Sequence, residues 1–379
     1  MKVQQLSRGT ISLLIGASTL VFRPSFIQFS KLSLRFAAAA SIISQKMASL
    51  SKNGVPLDCD FDAKNFLLKY PRGAYTTART VNRHSVFEFE THVARTASSS
   101  AEIFNHLANT NSGTNVEAIT TIDLLRERMA SGLGAVIQDF YQKYPDQGEQ
   151  ELKLTVLATM EKVNQDQNDG NGPPQVGSSN LSPVVYCHAC LLPPVPPRPI
   201  KVEIRGQPRE NALTKDSQWV RDRQSLQDLL SPEANEMILQ NEEGQLYEGS
   251  QTNFYAIING TVYTAGEGIL EGTVRRLMLE VCEKHNIPVV FSPPNIKEID
   301  TWEAALISST SRLVLAIDQI DIPQHNKKVD AHDKKILFEN NQGSVASNIV
   351  DLVRKEVEAH STKIFIPKES SSQHQCNIL

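Results

Sequence analysis

Four groups of residues in the second half of the chain have side chains suited to a phosphorylated ligand that carries a basic ring nitrogen. Lys215 lies in Asn211-Ala212-Leu213-Thr214-Lys215-Asp216, after a predicted strand and loop, where a desolvated amine could form a Schiff base. Glu248 stands in Glu248-Gly249-Ser250-Gln251-Thr252-Asn253-Phe254, and a carboxylate beside glycine and hydroxyls could fix a protonated ring nitrogen. Gly272-Thr273 opens a predicted helix, whose free N–H groups and dipole suit an anion. Ser308-Ser309-Thr310-Ser311, at a predicted strand end, offers hydroxyls and amides to a second side of the same phosphate. Singly these read as a surface lysine, a polar turn, an N-cap and a hydroxyl run.

The elements that must position them follow from hydrophobic period and turn residues. A first block should hold a hairpin over 73–90, helices over 91–108 and 119–143, and strands at 152–157 and 184–192 around a mobile polar insertion at 164–182. The proline-dense stretch 191–200 cannot be helical and reads as an interdomain linker. Its Pro193-Pro194-Val195-Pro196-Pro197-Arg198 also matches a Pro-x-x-Pro-x-Arg ligand pattern. A second block should hold strands at 202–204, 234–240, 245–247, 254–258 and 262–264, the last two joined at Asn259-Gly260. Helices are expected at 218–230, 272–285 and 345–360, and strands at 304–307 and 313–317. Val274, Leu277, Met278, Val281 and Cys282 share one face of the 272–285 helix. Strands outnumber helices and alternate with them irregularly, so the class is α+β in two domains. The expected division is a leader 1–57, a small domain 58–192, a linker 193–201, a larger ligand-binding domain 202–365 and a disordered tail 366–379.

Taken as a set, these motifs resemble the class IV aminotransferases, the fold-type IV pyridoxal-phosphate enzymes that include branched-chain and D-amino acid aminotransferases and aminodeoxychorismate lyase. The matching order is Lys215, Glu248-Gly249 with Asn253-Phe254, Leu270-Glu271-Gly272-Thr273-Val274-Arg275, then Ser308-Ser309-Thr310. Upstream, Tyr75-Thr76-Thr77-Ala78-Arg79 and His92-Val93-Ala94-Arg95 match the family's opening strand and its His-x-x-Arg helix. The resemblance implies a D-amino acid aminotransferase-like fold and pyridoxal 5'-phosphate as cofactor. It implies Lys215 as the Schiff-base lysine and Glu248 on the pyridinium nitrogen, with Leu270 against the ring. Arg95, Gly272, Thr273, Ser309 and Thr310 would hold the phosphate, and Tyr75 and Arg79 would face the substrate. The implied activity is transfer of an amino group between an amino acid and a 2-oxo acid. The alternatives are a lyase forming 4-aminobenzoate, which Thr76-Thr77-Ala78-Arg79 resembles, and a non-catalytic relative. Branched-chain specificity is disfavoured, because Asp216-Ser217-Gln218 replaces the Asn-Tyr that follows the lysine there. Family enzymes are commonly dimers, and a homodimer is adopted by analogy.

Composition limits the partners. The 38 basic and 42 acidic residues of the 379-residue chain balance to −4, and there is no basic stripe, so nucleic acid is not expected. No segment reads as membrane-spanning. Lys2, Arg8, Arg23, Lys31, Arg35, Lys46 and Lys52 all precede the first acid, Asp58. That basic, serine-rich leader has the composition of a plastid or mitochondrial transit peptide, the alternative being a cytoplasmic protein started at Met47. Cys187-His188-Ala189-Cys190 lacks a second ligand pair and reads as structural, so no metal is expected. Cys376-Asn377-Ile378-Leu379 has the form of a prenylation box, but Asn377 is not aliphatic.

Overall fold

The computed structural model describes residues 47–108, 115–162, 181–323 and 333–364. Its first half runs β1 (Ala48–Lys52), β2 (Val55–Leu57), α1 (Ala63–Lys69), β3 (Gly73–Val81), β4 (Ser85–Phe87), α2 (Phe89–Ala108), α3 (Glu117–Thr120), α4 (Ile122–Lys143), β5 (Leu152–Lys162) and β6 (Leu181–Leu191). The second half continues with β7 (Lys201–Ile204), α5 (Gln218–Asp222), α6 (Gln224–Leu229), β8 (Glu236–Gln240), β9 (Leu246–Gly249), β10 (Asn253–Ile258) and β11 (Thr261–Thr264). It ends with α7 (Thr273–Lys284), β12 (Val289–Phe291), β13 (Ala304–Ser309), β14 (Leu313–Ala316), β15 (Gln319–Ile322), β16 (Lys334–Leu337), α8 (Val345–Glu356) and β17 (Ser361–Lys363).

The first sheet has the strand order β17-β4-β3-β5-β6-β1-β2 and is antiparallel throughout. One face carries α2 and α4, whose Val93, Ala97, Met129, Leu133, Val136 and Ile137 pack on Ala78, Leu154, Val156 and Val185. On the other face, Phe66 and Leu67 of α1 and Val220 of α5 meet Leu50, Tyr75, Leu157 and Tyr186. The second sheet runs β12-β11-β10-β9-β8-β7-β15-β16, with β13 on the free side of β10 and β14 beside it. The period of two along β10 divides its side chains between two cores. Tyr255 and Ile257 face α7 and α8, while Phe254 and Ala256 face Ile204, Ile238, Ile307 and Trp302. Asn259 and Gly260, at φ 48° and 70°, turn β10 into β11 as their types suggest.

Two ties join the halves. At one end the strand start Gly73–Tyr75 pairs with residues 215–217. Tyr75 N donates to Lys215 O (2.9 Å) and Ser217 N to Gly73 O (2.9 Å), and Ala74 and Asp216 form an antiparallel bridge. At the other end, Glu88 is buried and accepts from Thr91 Oγ1 at 2.5 Å and from Arg276 of α7, with His360 Nδ1 2.9 Å away.

Several expectations need correction. The expected boundary at 57 is wrong, because β1 belongs to the fold: it is almost wholly buried and pairs with β6 from Ala48↔Cys190 to Lys52↔Tyr186. Asn53 and Gly54, at φ 49° and 82°, make the hairpin turn into β2. The 119–143 helix breaks at Thr121, which is extended, and the 218–230 helix breaks at Arg223. The larger domain does not run to 365, since β17 pairs with β4 in the first sheet. Cys187 and Cys190 are three apart on β6, so they leave opposite faces of the strand and do not pair with each other. Of the insertion expected at 164–182, Leu181 and Ser182 belong to β6, paired with Lys162 and Glu161; residues 164–180, the tail from 366 and Cys376 lie outside the described residues.

Because Ala48 and Leu50 are buried in the first sheet, truncation should discriminate sharply. A chain starting at Met47 is expected to keep the melting temperature of the full chain. One starting at Asp58 is expected to lose about 3 kcal/mol or more and to be recovered mostly insoluble, as measured by denaturant unfolding and soluble yield.

Candidate active site

Glu248 and Asn253 are paired across the turn that joins β9 to β10, so both side chains leave the same face of that hairpin. Gly249 leaves the other way, into a space where an added Cβ would sit 2.1 Å from Thr252 Oγ1 and 3.0 Å from the Glu236 side chain. The spacing of Glu-Gly-x-x-x-Asn is therefore the geometry of one tight hairpin. Asn253 Nδ2 donates to Leu270 O (2.7 Å), and Leu270 N donates to Glu248 Oε2 (3.0 Å). This fixes the segment that leads into α7. Gly272 is its N-cap, and a Cβ there would lie 2.2 Å from Asn253 Oδ1.

At the N-terminus of α7, Thr273 Oγ1 lies 3.0 Å from Thr310 Oγ1, just past the end of β13. The unpaired N–H groups of the first helical turn, the two threonine hydroxyls and the Ser309 hydroxyl, buried without a partner, converge there. Arg95 adds further donors to this end of the cavity from α2. Its Nη1 donates to Glu271 O (3.1 Å) and its Nη2 to Thr76 Oγ1 (2.8 Å), while its buried Nε has no partner. Burial pulls the Arg95 guanidinium down to about 10, still charged at neutral pH. Burial, then Arg95 and Lys215, hold His92 well below the usual histidine range. It is therefore neutral, and its Nδ1 lies 2.6 Å from Thr76 Oγ1 in a hydrogen bond.

Lys215 enters from the opposite side on the segment bridged to β3, and its N–H donates to Ser99 Oγ of α2 (3.0 Å). Its Nζ stands 4.9 Å from the Tyr75 ring centroid. Burial, with Arg95, Arg209 and Arg223, lowers the ammonium to about 8 against the opposing pull of Tyr75. Burial raises the Tyr75 phenol, but Lys215, Arg223 and Arg209 outweigh it and bring it to about 8 as well. Glu248 is 3 % exposed, and burial raises its carboxyl although Arg209 opposes this. Arg209 Nε donates to Glu248 Oε1 at 2.8 Å, with its guanidinium carbon 5.4 Å from the Trp219 ring centroid.

These groups line one cavity of about 390 Å³ between the sheets. Of the residues singled out from sequence, Tyr75, Arg95, Lys215, Glu248, Leu270, Gly272, Thr273, Ser309 and Thr310 all reach its wall. Arg79 does not: it shares the face of Tyr75 and Thr77 but lies one pleat further along β3, opposite Lys153, which does reach the wall. Sequence reasoning missed Arg209, Trp219, Arg223 and Arg312. Arg209 is in a loop and Arg223 at a helix break, where no periodicity marks a residue. Among the described residues no cluster of three or more His, Cys, Asp or Glu could hold a metal, and no helix is long and apolar enough to cross a membrane.

Residues 73–320 match the family model for amino-transferase class IV. A 76-residue stretch is 34 % identical to D-alanine aminotransferase of Staphylococcus epidermidis, covering 20 % of this chain and 27 % of that protein. The match thus spans about a quarter of the length of that curated relative. The fold is similar to the crystal structure of a branched-chain aminotransferase from the archaeon Thermoproteus uzoniensis, with a TM-score of 0.57 and 16 % identity over 83 % of this chain and 99 % of that one. It is also similar to the branched-chain amino acid aminotransferase of Thermobaculum terrenum solved in its PLP form, with a TM-score of 0.54 and 12 % identity over 82 % of this chain and 94 % of that one. With two thirds of its length under that family model and a curled two-sheet fold that carries the motif residues into one cavity, the chain belongs to the class IV aminotransferases.

Proposed function

We propose that this protein is a pyridoxal-phosphate-dependent aminotransferase that moves an amino group between an amino acid and a 2-oxo acid, with Lys215 as the covalent anchor of the cofactor. The observation that carries the reading is the placement of the Lys215 amine in the same cavity as a buried carboxylate and an anion-binding helix end. The residues fit the cofactor. Ser309 Oγ and Arg95 Nε are buried donors without protein partners at the end where a phosphate would lie. Glu248 is the single acid among the described wall residues, and Arg209 and Leu270 N leave its carboxylate acceptor capacity for a ring nitrogen.

When bound, pyridoxal phosphate supplies an electron-poor ring that takes up the electron pair left as the substrate's Cα–H bond breaks. The protein supplies position and protons. Thr273, Thr310, Ser309 and Arg95 would hold the phosphate, a charge-assisted contact that orients without reacting. Glu248 would keep the ring nitrogen protonated. Lys215, neutral in a large fraction of molecules near pH 8, would accept the Cα proton and return it, with the Tyr75 phenol beside it titrating in the same range.

We also propose that the protein works as a homodimer, by analogy with its family. The composition ahead of Met47 supports import into an organelle.

The decisive experiment is a half-reaction screen without a 2-oxo acid acceptor. At least one amino acid is expected to bleach the visible absorption of the protein and leave the amino group on the cofactor. Turnover of aminodeoxychorismate to 4-aminobenzoate and pyruvate, with no amino acid bleaching it, would favour a lyase instead. Lys215→Ala should lose the borohydride-fixable label and turnover, and a labelled variant would move the anchor elsewhere. Lys215 ionises near 8 rather than 10.5, and only the free amine is nucleophilic. Cofactor uptake by cofactor-free protein should therefore rise with pH through about 8 and level off above it. A rate still climbing past pH 10 is what an ordinary exposed lysine would give.

A further inference from the structure

The described walls of the cavity carry eight basic side chains against Glu248 alone. Most have an assignment: Arg209 is paired with Glu248, Arg95 stands at the phosphate end, and Arg275 Nη2 donates to the Ala265 carbonyl. Arg275, 8 % exposed with its Nε unpartnered, also lacks a carboxylate within ion-pair distance, but its guanidinium carbon lies 5.7 Å from the Phe291 ring centroid. Arg223 is 7 % exposed, and among the described residues no carboxylate lies within ion-pair distance of it and no aromatic ring is stacked on it. Its Nη1 donates to Ser250 O at 3.1 Å, and its buried Nε has no partner. The Ser250 carbonyl does not require it, because Trp219 Nε1 already donates there at 2.8 Å. Glu236, which shares Ser250 with it, accepts from Ser250 Oγ (2.7 Å) and Met237 N (2.9 Å) through Oε1, while its buried Oε2 has no partner and forms no ion pair with Arg223.

A buried guanidinium without a counter-charge is costly, and the cost is relieved only when an anion enters. We propose that Arg223 is the carboxylate anchor of the substrate site, so that the cavity accepts amino acids and 2-oxo acids through an ion pair to Arg223 and rejects the corresponding neutral amides and amines. The position suits this role. Arg223 lines the same cavity as Lys215 and Tyr75, with its guanidinium fixed on the carbonyl of Ser250 two residues past Glu248, so a carboxylate held there lies in the cavity that holds the Lys215 amine. Planar, bidentate pairing to a carboxylate is what arginine does better than lysine. In naming the carboxylate as that of an amino acid or 2-oxo acid, the inference rests on the aminotransferase reading; the ion pair itself does not.

The test uses purified protein with its bound cofactor and two isosteric probes, pentanoate and pentanamide, titrated by calorimetry without turnover. Pentanoate is expected to bind at least tenfold more tightly than pentanamide. Arg223→Gln should bring the two to within twofold of each other, while Arg223→Lys, which keeps the buried charge, should weaken pentanoate several-fold and leave pentanamide unchanged. The proposal is overturned if the unaltered protein shows no preference, if Arg223→Gln keeps the preference, or, should that variant not fold, if Arg223→Lys binds pentanoate as well as the parent does. A protein that prefers pentanoate through Arg223 but transfers no amino group would support the anchor while removing the aminotransferase reading.

Discussion

The site depends on one antiparallel bridge, Ala74 to Asp216, flanked by Tyr75 N to Lys215 O and Ser217 N to Gly73 O. These bonds splice a loop of the second half onto the start of β3. Side chains alternate along β3, so pairing Tyr75 with the residue that carries the lysine puts phenol and amine on the same side of the splice. Gly73 makes the splice possible: a Cβ there would stand 2.2 Å from Ala158 O on the neighbouring strand. Ser217 Oγ accepts from Gly73 N at 3.1 Å and Arg72 pairs with Asp216, so the register is held by side chains as well. A slip of one residue would turn Lys215 out of the cavity. The Glu88 cluster, gripping α7 from the far end, keeps the two sheets from pivoting about that single splice.

Around the amine the balance of charge decides what each group can do. Ion pairs such as Lys334 with Asp300, both more than half exposed, contribute about 0–1 kcal/mol and could be lost without consequence. The Arg209–Glu248 pair is another case, because its partners are 10 % and 3 % exposed. Removing either partner would leave an uncompensated buried charge at a cost of about 3–5 kcal/mol. Burial, reinforced by the cavity's surplus of positive charge, lowers the lysine ammonium to about 8.

What is local is legible in the sequence, and what depends on distant partners is not. Glu248, Asn253, Gly272 and Thr273 can be read because each motif lies within one hairpin or one helix start, where spacing alone sets direction. The Asn259-Gly260 turn is equally readable, yet Asn53-Gly54 carries the same signal inside a basic composition that looks like a leader. Arg79 is carried along by its neighbours, although the period of two that points it toward the site also sets it one pleat beyond the wall. Arg209 and Arg223 acquire meaning only through partners brought in by the fold. Strand β17 is unreadable, since Ser361–Lys363 is polar, short and half exposed, and only its partner makes it a strand.

That last strand also sets an order of events for a growing chain. Glu88 and His360, which close the same corner, are 272 positions apart in sequence. During synthesis β4 remains an open sheet edge until β17 has emerged, and an open edge is a template for wrong pairings between chains. Closure of such a long loop is slow relative to local hairpins and helices. The first half can collapse early around its own helices, but its edge is sealed only after Ser361–Lys363 has been made.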